Sequence, residues 1–151
     1  REKDGSACKE GIGLLRQVLA KRAPDEDLDR LLSQSNLERV IKASGGLFRD
    51  LFRMVAALLL KSGELPLGTT EIDNVERQHR ATAATGLSKE QWEILADVQQ
   101  TNQLLVPREL SAEAWGLQAL GAVLCYRNGS VDWYGVHPLL DPLVPGPDTQ
   151  S

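Results

Sequence analysis

The first part of the chain repeats apolar positions with the period of an α-helix. The segment GIGLLRQVLAKRA, residues 11–23, places Ile12, Leu15, Val18 and Leu19 on one side and its basic residues on the other. Apolar residues spaced by three and four positions form one face of a helix with 3.6 residues per turn. The spacing therefore predicts an amphipathic helix, ended by the proline that follows it.

Two shorter helices are predicted next. DEDLDRLLSQ, residues 25–34, opens with carboxylates, which are favourable at the positive end of a helix dipole. NLERVIKA, residues 36–43, follows with Asn36 as its predicted N-cap.

A fourth helix is predicted over 47–61, where LFRDLFRMVAALLLK is apolar on most of its circumference. Such a helix belongs in the middle of a bundle, because most of its surface must be covered. Gly45 or Gly46 ends the preceding helix by adopting a positive φ. Two arginines and an aspartate nevertheless stand in the first two turns of this apolar helix, at Arg49, Asp50 and Arg53.

Beyond the turn-rich connector at 64–69, the pattern predicts two helices over 70–86 and 87–102, a short strand over 103–107 and a helix over 111–121. Ser88 with Gln91 predicts a capping box, and Ser111 a further N-cap.

The period then changes to that of strands. AVLCYR and VDWYGV are separated by Asn128-Gly129-Ser130, a strong signal for a hairpin with a tight turn. Helix, helix, short strand, helix and hairpin is the order of a winged helix-turn-helix, in which the hairpin is the wing.

Composition adds few constraints. The 151 residues are 42% hydrophobic and carry a formal net charge of −4, so general attraction to nucleic acid is not predicted. No apolar run is long enough to span a membrane and no signal peptide is recognisable, which predicts a cytoplasmic location. Cys8 and Cys125 have no partners at metal-ligand spacing and are predicted to be packed thiols.

The two ends differ from the rest of the chain. The first residues lead directly into a helical pattern without an initial Met, which indicates a fragment of a longer protein. The last residues, 146–151, are rich in Pro, Gly and polar side chains and predict a disordered tail.

Candidate motifs for chemistry are weak. GELPLGTT, residues 63–70, has the glycine spacing of a phosphate-binding loop, but Thr69 replaces the lysine that the β and γ phosphates require. Asn128-Gly129-Ser130 also matches a glycosylation sequon, although the hairpin accounts for it. His79 and His137 lack nearby carboxylates or cysteines, so a structural role is predicted for both and no catalytic set is visible.

The winged-helix pattern raises the question of DNA binding. The helix that would enter the groove, SAEAWGLQAL, contains no Lys or Arg, and Arg127 in the wing stands opposite Asp132. Because affinity for DNA rests largely on neutralised phosphates, this composition disfavours DNA and favours a protein neighbour.

Arg49 and Arg53 have two interpretations. They fill the polar side of a buried helix as ordinary solvated charges, or they face an anion that offsets the repulsion between two arginines one turn apart. Guanidinium is the side-chain group that pairs with phosphate through two hydrogen bonds.

The runs LLRQVLAKRA, LERVIKASGGLFRDLFRMVAALL and VLCYRNGSVDWYGVHPLL resemble the C-terminal portion of bacterial P-loop ATPases of the AAA+/STAND type. The resemblance covers residues 8–144. In that family a nucleotide-binding core is followed by a helical lid and a winged-helix domain. An arginine called sensor 2, in a GxxR motif at the start of a lid helix, reaches the γ-phosphate; the matching residue here is Arg49, three positions after Gly46.

The resemblance implies a mainly α fold: a lid-like helical bundle over 1–66, a winged helix with a hairpin wing over 67–145, and the tail over 146–151. It implies a regulatory, nucleotide-sensing fragment that couples nucleotide state to a protein partner or a neighbouring protomer in a homo-oligomer. The ATPase core, with ATP and Mg²⁺, is expected upstream of Arg1, and no catalysis or cofactor is expected in this fragment. The alternatives are a stand-alone winged-helix transcription regulator that binds DNA, and an interaction module in which Arg49 only pairs with a carboxylate such as Asp50.

Overall fold

The structure, a computed structural model, describes residues 2–3, 6, 8–22, 25–61, 64–128 and 131–146. These residues are mainly helical, with one antiparallel hairpin. Their helices and strands are α1 (Lys9–Ala20), α2 (Asp25–Leu31), α3 (Gln34–Ala43), α4 (Phe48–Leu59), α5 (Thr69–Ala84), α6 (Lys89–Thr101), α7 (Ser111–Leu120), β1 (Val123–Asn128) and β2 (Val131–Val136). A 3₁₀ turn, Arg108–Leu110, precedes α7, and another, Asp141–Leu143, follows the hairpin.

The chain forms two compact units, residues 1–81 and 82–151. Each described unit has its own cluster of buried apolar side chains. The boundary between the two units lies between residues 81 and 82, whereas the sequence predicts a domain boundary between residues 66 and 67. The reason is that Ile72 and Val75 of α5 are fully buried in the core of the first unit.

The apolar helix predicted over 47–61 is present as α4 and contributes to the first core, but the prediction that most of its surface is covered was wrong, since apolar side chains such as Leu60 are exposed. Leu51, Met54 and Leu58 are completely buried, and Val55 nearly so. These four positions lie on one side of the helix at spacings of three and four residues, as burial against neighbouring helices requires.

The start of α3 differs from the prediction. Its N-cap is Ser33, whose side chain accepts a hydrogen bond from the backbone N–H of Asn36. Asn36 therefore lies inside the first turn, and its side-chain amide donates to the carbonyl of Leu67 at 3.1 Å. Both residues are good caps, and the prediction of Asn36 was wrong because Ser33, three positions earlier, takes that role.

The connector before α5 is held against α2. The N–H of Leu67 donates to the carbonyl of Leu31 at 2.8 Å, and the Leu67 side chain is buried. The described part of the loop that mimics a phosphate-binding motif is therefore an anchored connector. Gly63, the first glycine of that motif, lies outside the described residues.

The second unit begins with the predicted capping box. The Ser88 side chain accepts from the N–H of Gln91, and the Gln91 side chain accepts from the N–H of Ser88. The helix predicted over 111–121 is present as α7. Its N-cap is Leu110, so Ser111 is its first residue and was wrongly predicted to be the cap.

The predicted hairpin is confirmed, with Val123 opposite Val136 and Asn128 opposite Val131. Gly129 and Ser130, on which the predicted tight turn depends, lie outside the described residues, as does the predicted tail beyond Gly146. The predicted short strand over 103–107 was wrong: among the described residues the sheet has two strands only. Leu104 and Val106 pack on the second core, so the alternation of apolar and polar residues does reflect burial. The segment nevertheless does not pair with either strand of the hairpin.

Candidate functional site

A tight turn separates α3 from α4 and sets where α4 begins. Ser44 is fully buried, and its hydroxyl donates to the carbonyl of Ile41 at 2.7 Å. Gly45 and Gly46 both have positive φ, at 63° and 88°, as the sequence predicts. Because residues with a Cβ rarely adopt these angles, the glycine pair allows two helices to follow each other after only four intervening residues.

Arg49, the residue matched to sensor 2, lies in the first turn of α4. Its side chain is about half exposed, and its Nε donates to Oδ1 of Asp50 at 3.2 Å. Arg53, one turn later, brings Nη1 to 3.9 Å from the same oxygen. Asp50 is much less exposed than either arginine, at 17% against 52% and 64%. The Asp50 carboxylate thus forms ion pairs with two exposed guanidinium groups. Exposed ion pairs of this kind contribute little to the free energy of unfolding.

His79 on α5 faces this group of charges. Partial burial lowers the pKa of its imidazole, the carboxylate of Asp50 acts in the opposite direction, and the positive charge of Arg53 lowers the pKa further. Burial disfavours the charged form of histidine, and a nearby cation has the same effect. His79 is therefore predominantly neutral near neutral pH, and its position beside the arginines was not predicted from the sequence.

The titration of His79 provides a direct check of this arrangement. We expect the pKa of His79, measured by NMR of its imidazole protons, to lie below the ordinary value of about 6.5. Asp50→Asn should lower it further, because the carboxylate that favours the imidazolium is lost. Arg53→Ala should raise it, because an opposing positive charge is lost.

The chain has only one other histidine, His137, so substitution of His79 suffices to assign the two sets of imidazole signals. If Asp50→Asn and Arg53→Ala shifted the His79 titration in the same direction, the proposed arrangement of charges would be incorrect.

A second ion-pair group has a structural role. Arg39 on α3 binds Glu76 on α5 through two parallel hydrogen bonds of 2.9 and 2.7 Å, and it also binds Asp73. These bonds, that to Glu76 first, raise the pKa of Arg39 above its already high value. The only signal for this contact in the sequence is a pair of acids three residues apart on one helix, which does not identify the arginine they meet.

The exposed side of α7, the helix that a winged-helix protein would place in DNA, is apolar. Ala114 and Leu117 are buried, whereas Ala112, Trp115 and Ala119 face solvent. Between residues 82 and 146 the sequence has seven acidic side chains against three basic ones. This surface lacks the cations that phosphate contacts need.

The hairpin carries its own ion pair across the strands. Arg127 donates to both carboxylate oxygens of Asp132, at 2.6 and 2.9 Å, and the two residues are directly opposite in the register. These hydrogen bonds hold the pKa of Asp132 below its usual range. Arg127 is thereby matched to Asp132, as the sequence suggests.

The remaining candidate residues show local roles. His137 is buried, and its Nδ1 accepts from the backbone N–H of Leu139 at 3.2 Å. The sulfur of Cys8 caps α1 by accepting from the N–H of Gly11 at 3.4 Å. Cys125 is exposed, so the prediction of a packed thiol there was wrong: it lies on the same side of the hairpin as the buried Val123, but two residues closer to the turn.

Within the described part of the chain, no three His, Cys, Asp or Glu side chains are placed to hold a metal ion. None of the described helices is both long and apolar enough to cross a membrane. No protein-family model matches the chain, and neither the curated proteins nor the solved structures include a significant match to it.

Proposed function

We propose that this chain is a regulatory region of a P-loop ATPase of the AAA+/STAND type, in which Arg49 senses the nucleotide. The observation that carries the proposal is the position of Arg49. It is an exposed guanidinium in the first turn of α4, directly after a glycine turn that sets the start of the helix. A guanidinium there stabilises the charge of a phosphate brought to it, as cations do in phosphoryl transfer.

In this proposal, ATP and Mg²⁺ are bound by a nucleotide-binding domain upstream of Arg1. The helices of the first unit act as the lid of that domain, and Arg49 turns towards the γ-phosphate when the domain binds ATP. The pair with Asp50 does not prevent this movement, because exposed ion pairs are weak and readily exchanged.

The second unit is proposed to be a winged helix that passes the nucleotide state to a protein partner or another protomer. Support comes from the order of its elements, in which α6 and α7 are followed by the antiparallel hairpin. The apolar exposed side of α7 suits a protein neighbour better than DNA.

The first test is the reading frame upstream of Arg1. We expect a GxxxxGK[ST] motif between a buried strand and a helix, about 200 or more residues upstream in keeping with the size of such a domain. The isolated chain should not hydrolyse ATP. The proposal is wrong if the upstream sequence lacks that motif. It is also wrong if the isolated chain hydrolyses ATP at a rate typical of enzymes.

The second test is substitution of Arg49 in the longer protein. Arg49→Ala should reduce ATP turnover by about tenfold or more, because a positive charge that stabilises the transferring phosphoryl group is lost. Arg53→Ala is the matched control, since it removes the same group one turn later on the same helix and at similar exposure. Equal effects of the two substitutions on turnover would show that Arg49 has no special role.

A second candidate function is an interaction module without a nucleotide role, and the hydrogen bond between Arg49 and Asp50 favours it. In that case Arg49→Ala changes neither nucleotide affinity nor turnover of the longer protein. A stand-alone transcription regulator is the remaining alternative. It predicts gel-shift binding to duplex DNA that weakens steeply with salt.

A further inference from the structure

The hairpin of the second unit leaves backbone groups on the outer side of β1. The N–H of His137 donates to the carbonyl of Ala122, directly before the first residue pair of the two strands. In an antiparallel pair, successive residues direct their N–H and C=O groups alternately towards and away from the neighbouring strand. Val123, Cys125 and Arg127 therefore direct these groups away from β2. We call the outward N–H and C=O groups of these three residues the β1 edge.

The two edges of the sheet differ in how they are covered. On β2, the N–H of Tyr134 points away from β1 and donates to the carbonyl of Asn102 at 3.0 Å. Within the described residues, no third strand pairs with β1, and no backbone group forms a hydrogen bond with the β1 edge. Cys125, in the middle of this edge, is exposed. The β1 edge is therefore accessible to another strand.

The sequence of β1 contains little that would prevent such pairing. Proline, lysine and bulges are the usual means by which proteins block an open strand edge. β1 has the sequence VLCYRN, and its register with β2 is unbroken from Val123 to Asn128. Its one charged side chain, Arg127, is engaged by Asp132 within the hairpin. Cys125, at the centre of the edge, is small and uncharged.

We infer that the β1 edge pairs with the β1 edge of a second copy, in antiparallel orientation, with the two-fold axis at Cys125. The two Cys125 residues then exchange backbone hydrogen bonds across the axis. Leu124 lies opposite Tyr126 of the second copy, and Val123 lies opposite Arg127. No like charges face each other in this register, whereas an axis at Arg127 opposes two arginines.

A second copy suits this edge better than an unrelated strand, because the pairing closes the sheet. Each copy contributes the same edge, so the interface is isologous and assembly stops at a dimer. The outer strands of the resulting four-stranded sheet are the two β2 strands, and Asn102 engages the edge of each at Tyr134. An unrelated strand would cover β1 but present a new open edge of its own. This inference goes beyond the proposed function and involves neither Arg49 nor a nucleotide.

We expect the wild-type chain to form a reversible dimer, and nothing larger, in sedimentation velocity under reducing conditions. Cys125→Pro should weaken the dimer by about tenfold or more, because both copies lose the N–H that donates at the axis. The hairpin keeps its own hydrogen bonds, since this N–H is not part of its ladder. Cys125→Ser is the matched control, because it retains the N–H and should dimerise as the wild type does.

Charges at position 125 provide a test that does not depend on proline. Cys125→Lys and Cys125→Glu each place like charges opposite one another at the axis, so each should weaken its own dimer. A mixture of the two variants should form a heterodimer, because opposite charges then meet at the axis. Circular dichroism checks that every variant is folded.

Oxidative cross-linking reports the register of the two strands. The Cα atoms of a hydrogen-bonded antiparallel pair lie about 5.5 Å apart, which is within the range that a disulfide spans. Oxidation of the wild type with diamide should therefore give a disulfide-linked dimer. Cys125→Ser should abolish this product, whereas Cys8→Ser should leave it unchanged.

Several outcomes would refute pairing through the β1 edge. One is a wild-type chain that stays monomeric at all accessible concentrations. Another is a dimer that Cys125→Pro does not weaken, or a mixture of the two charged variants that forms no heterodimer. Loss of the dimer in Cys125→Ser would show that the thiol, rather than the backbone edge, is responsible. ATP turnover in the longer protein with Arg49→Ala tests the nucleotide proposal separately.

Discussion

Leu51→Ala should lower the free energy of unfolding by about 2–5 kcal/mol, the range for truncation of a fully buried leucine. Leu51 has no exposed surface and lies in the core of the first unit, on the helix that carries Arg49. The substitution removes apolar contacts and leaves a cavity that the surrounding helices fill only in part. The measurement is urea denaturation followed by far-UV circular dichroism. Tryptophan fluorescence is unsuitable, because all three tryptophans lie between residues 82 and 151.

Leu59→Ala is the matched control, since it makes the same change on the same helix at a position that is 64% exposed. Its effect should stay within about 0.5 kcal/mol, as for most surface substitutions. The comparison requires protein concentrations at which the chain is monomeric, because self-association adds to apparent stability. Comparable losses from the two substitutions would contradict the orientation of α4.

The periodic parts of the fold were predictable because burial has a direct signature in sequence. Leu51, Met54 and Leu58 repeat at helical spacing, and the structure places all three in the core. Ser88 and Gln91 form a cap whose two hydrogen bonds depend only on residues three apart. Local chemistry of this kind needs no knowledge of the rest of the chain.

The errors arose where a local pattern is compatible with more than one structure. Ser33 and Asn36 are both good caps, and the choice between them depends on Leu67, far away in the sequence, whose carbonyl engages the Asn36 amide. Leu104 and Val106 alternate as in a strand, but a strand also needs a partner. Pro107 at the end of that segment has no N–H to offer one.

In the candidate site, too, features formed by neighbours in the sequence were predictable, whereas contacts between helices were not. The neighbours Arg49 and Asp50 were visible in the sequence, and so was the glycine turn before them. The approach of His79 to these charges depends on how α5 packs beside α4, which no spacing within either helix reveals. The same holds for Arg39, whose two acidic partners lie more than thirty residues away.

The second unit contains one buried tryptophan, Trp133 on β2, and one exposed tryptophan, Trp115 on α7. Trp133 is 4% exposed and stacks on Tyr126, with ring centres 4.5 Å apart, whereas Trp115 is 73% exposed. Trp133→Ala should lower the free energy of unfolding by about 3–5 kcal/mol, because a large buried ring is removed. Trp115→Ala should change the stability of the monomer by no more than about 0.5 kcal/mol.

Trp133→Phe separates packing from hydrogen bonding. The indole Nε1 of Trp133 is buried and has no hydrogen-bond partner among the described atoms, so phenylalanine removes an unsatisfied donor while it retains an aromatic ring in the stack. Its cost should therefore be clearly smaller than that of Trp133→Ala in urea denaturation followed by circular dichroism. A loss from Trp133→Phe as large as that from Trp133→Ala would mean that the indole donor is satisfied in solution. A loss from Trp115→Ala as large as that from Trp133→Ala would mean that Trp115 is buried in solution, contrary to its exposed position on α7.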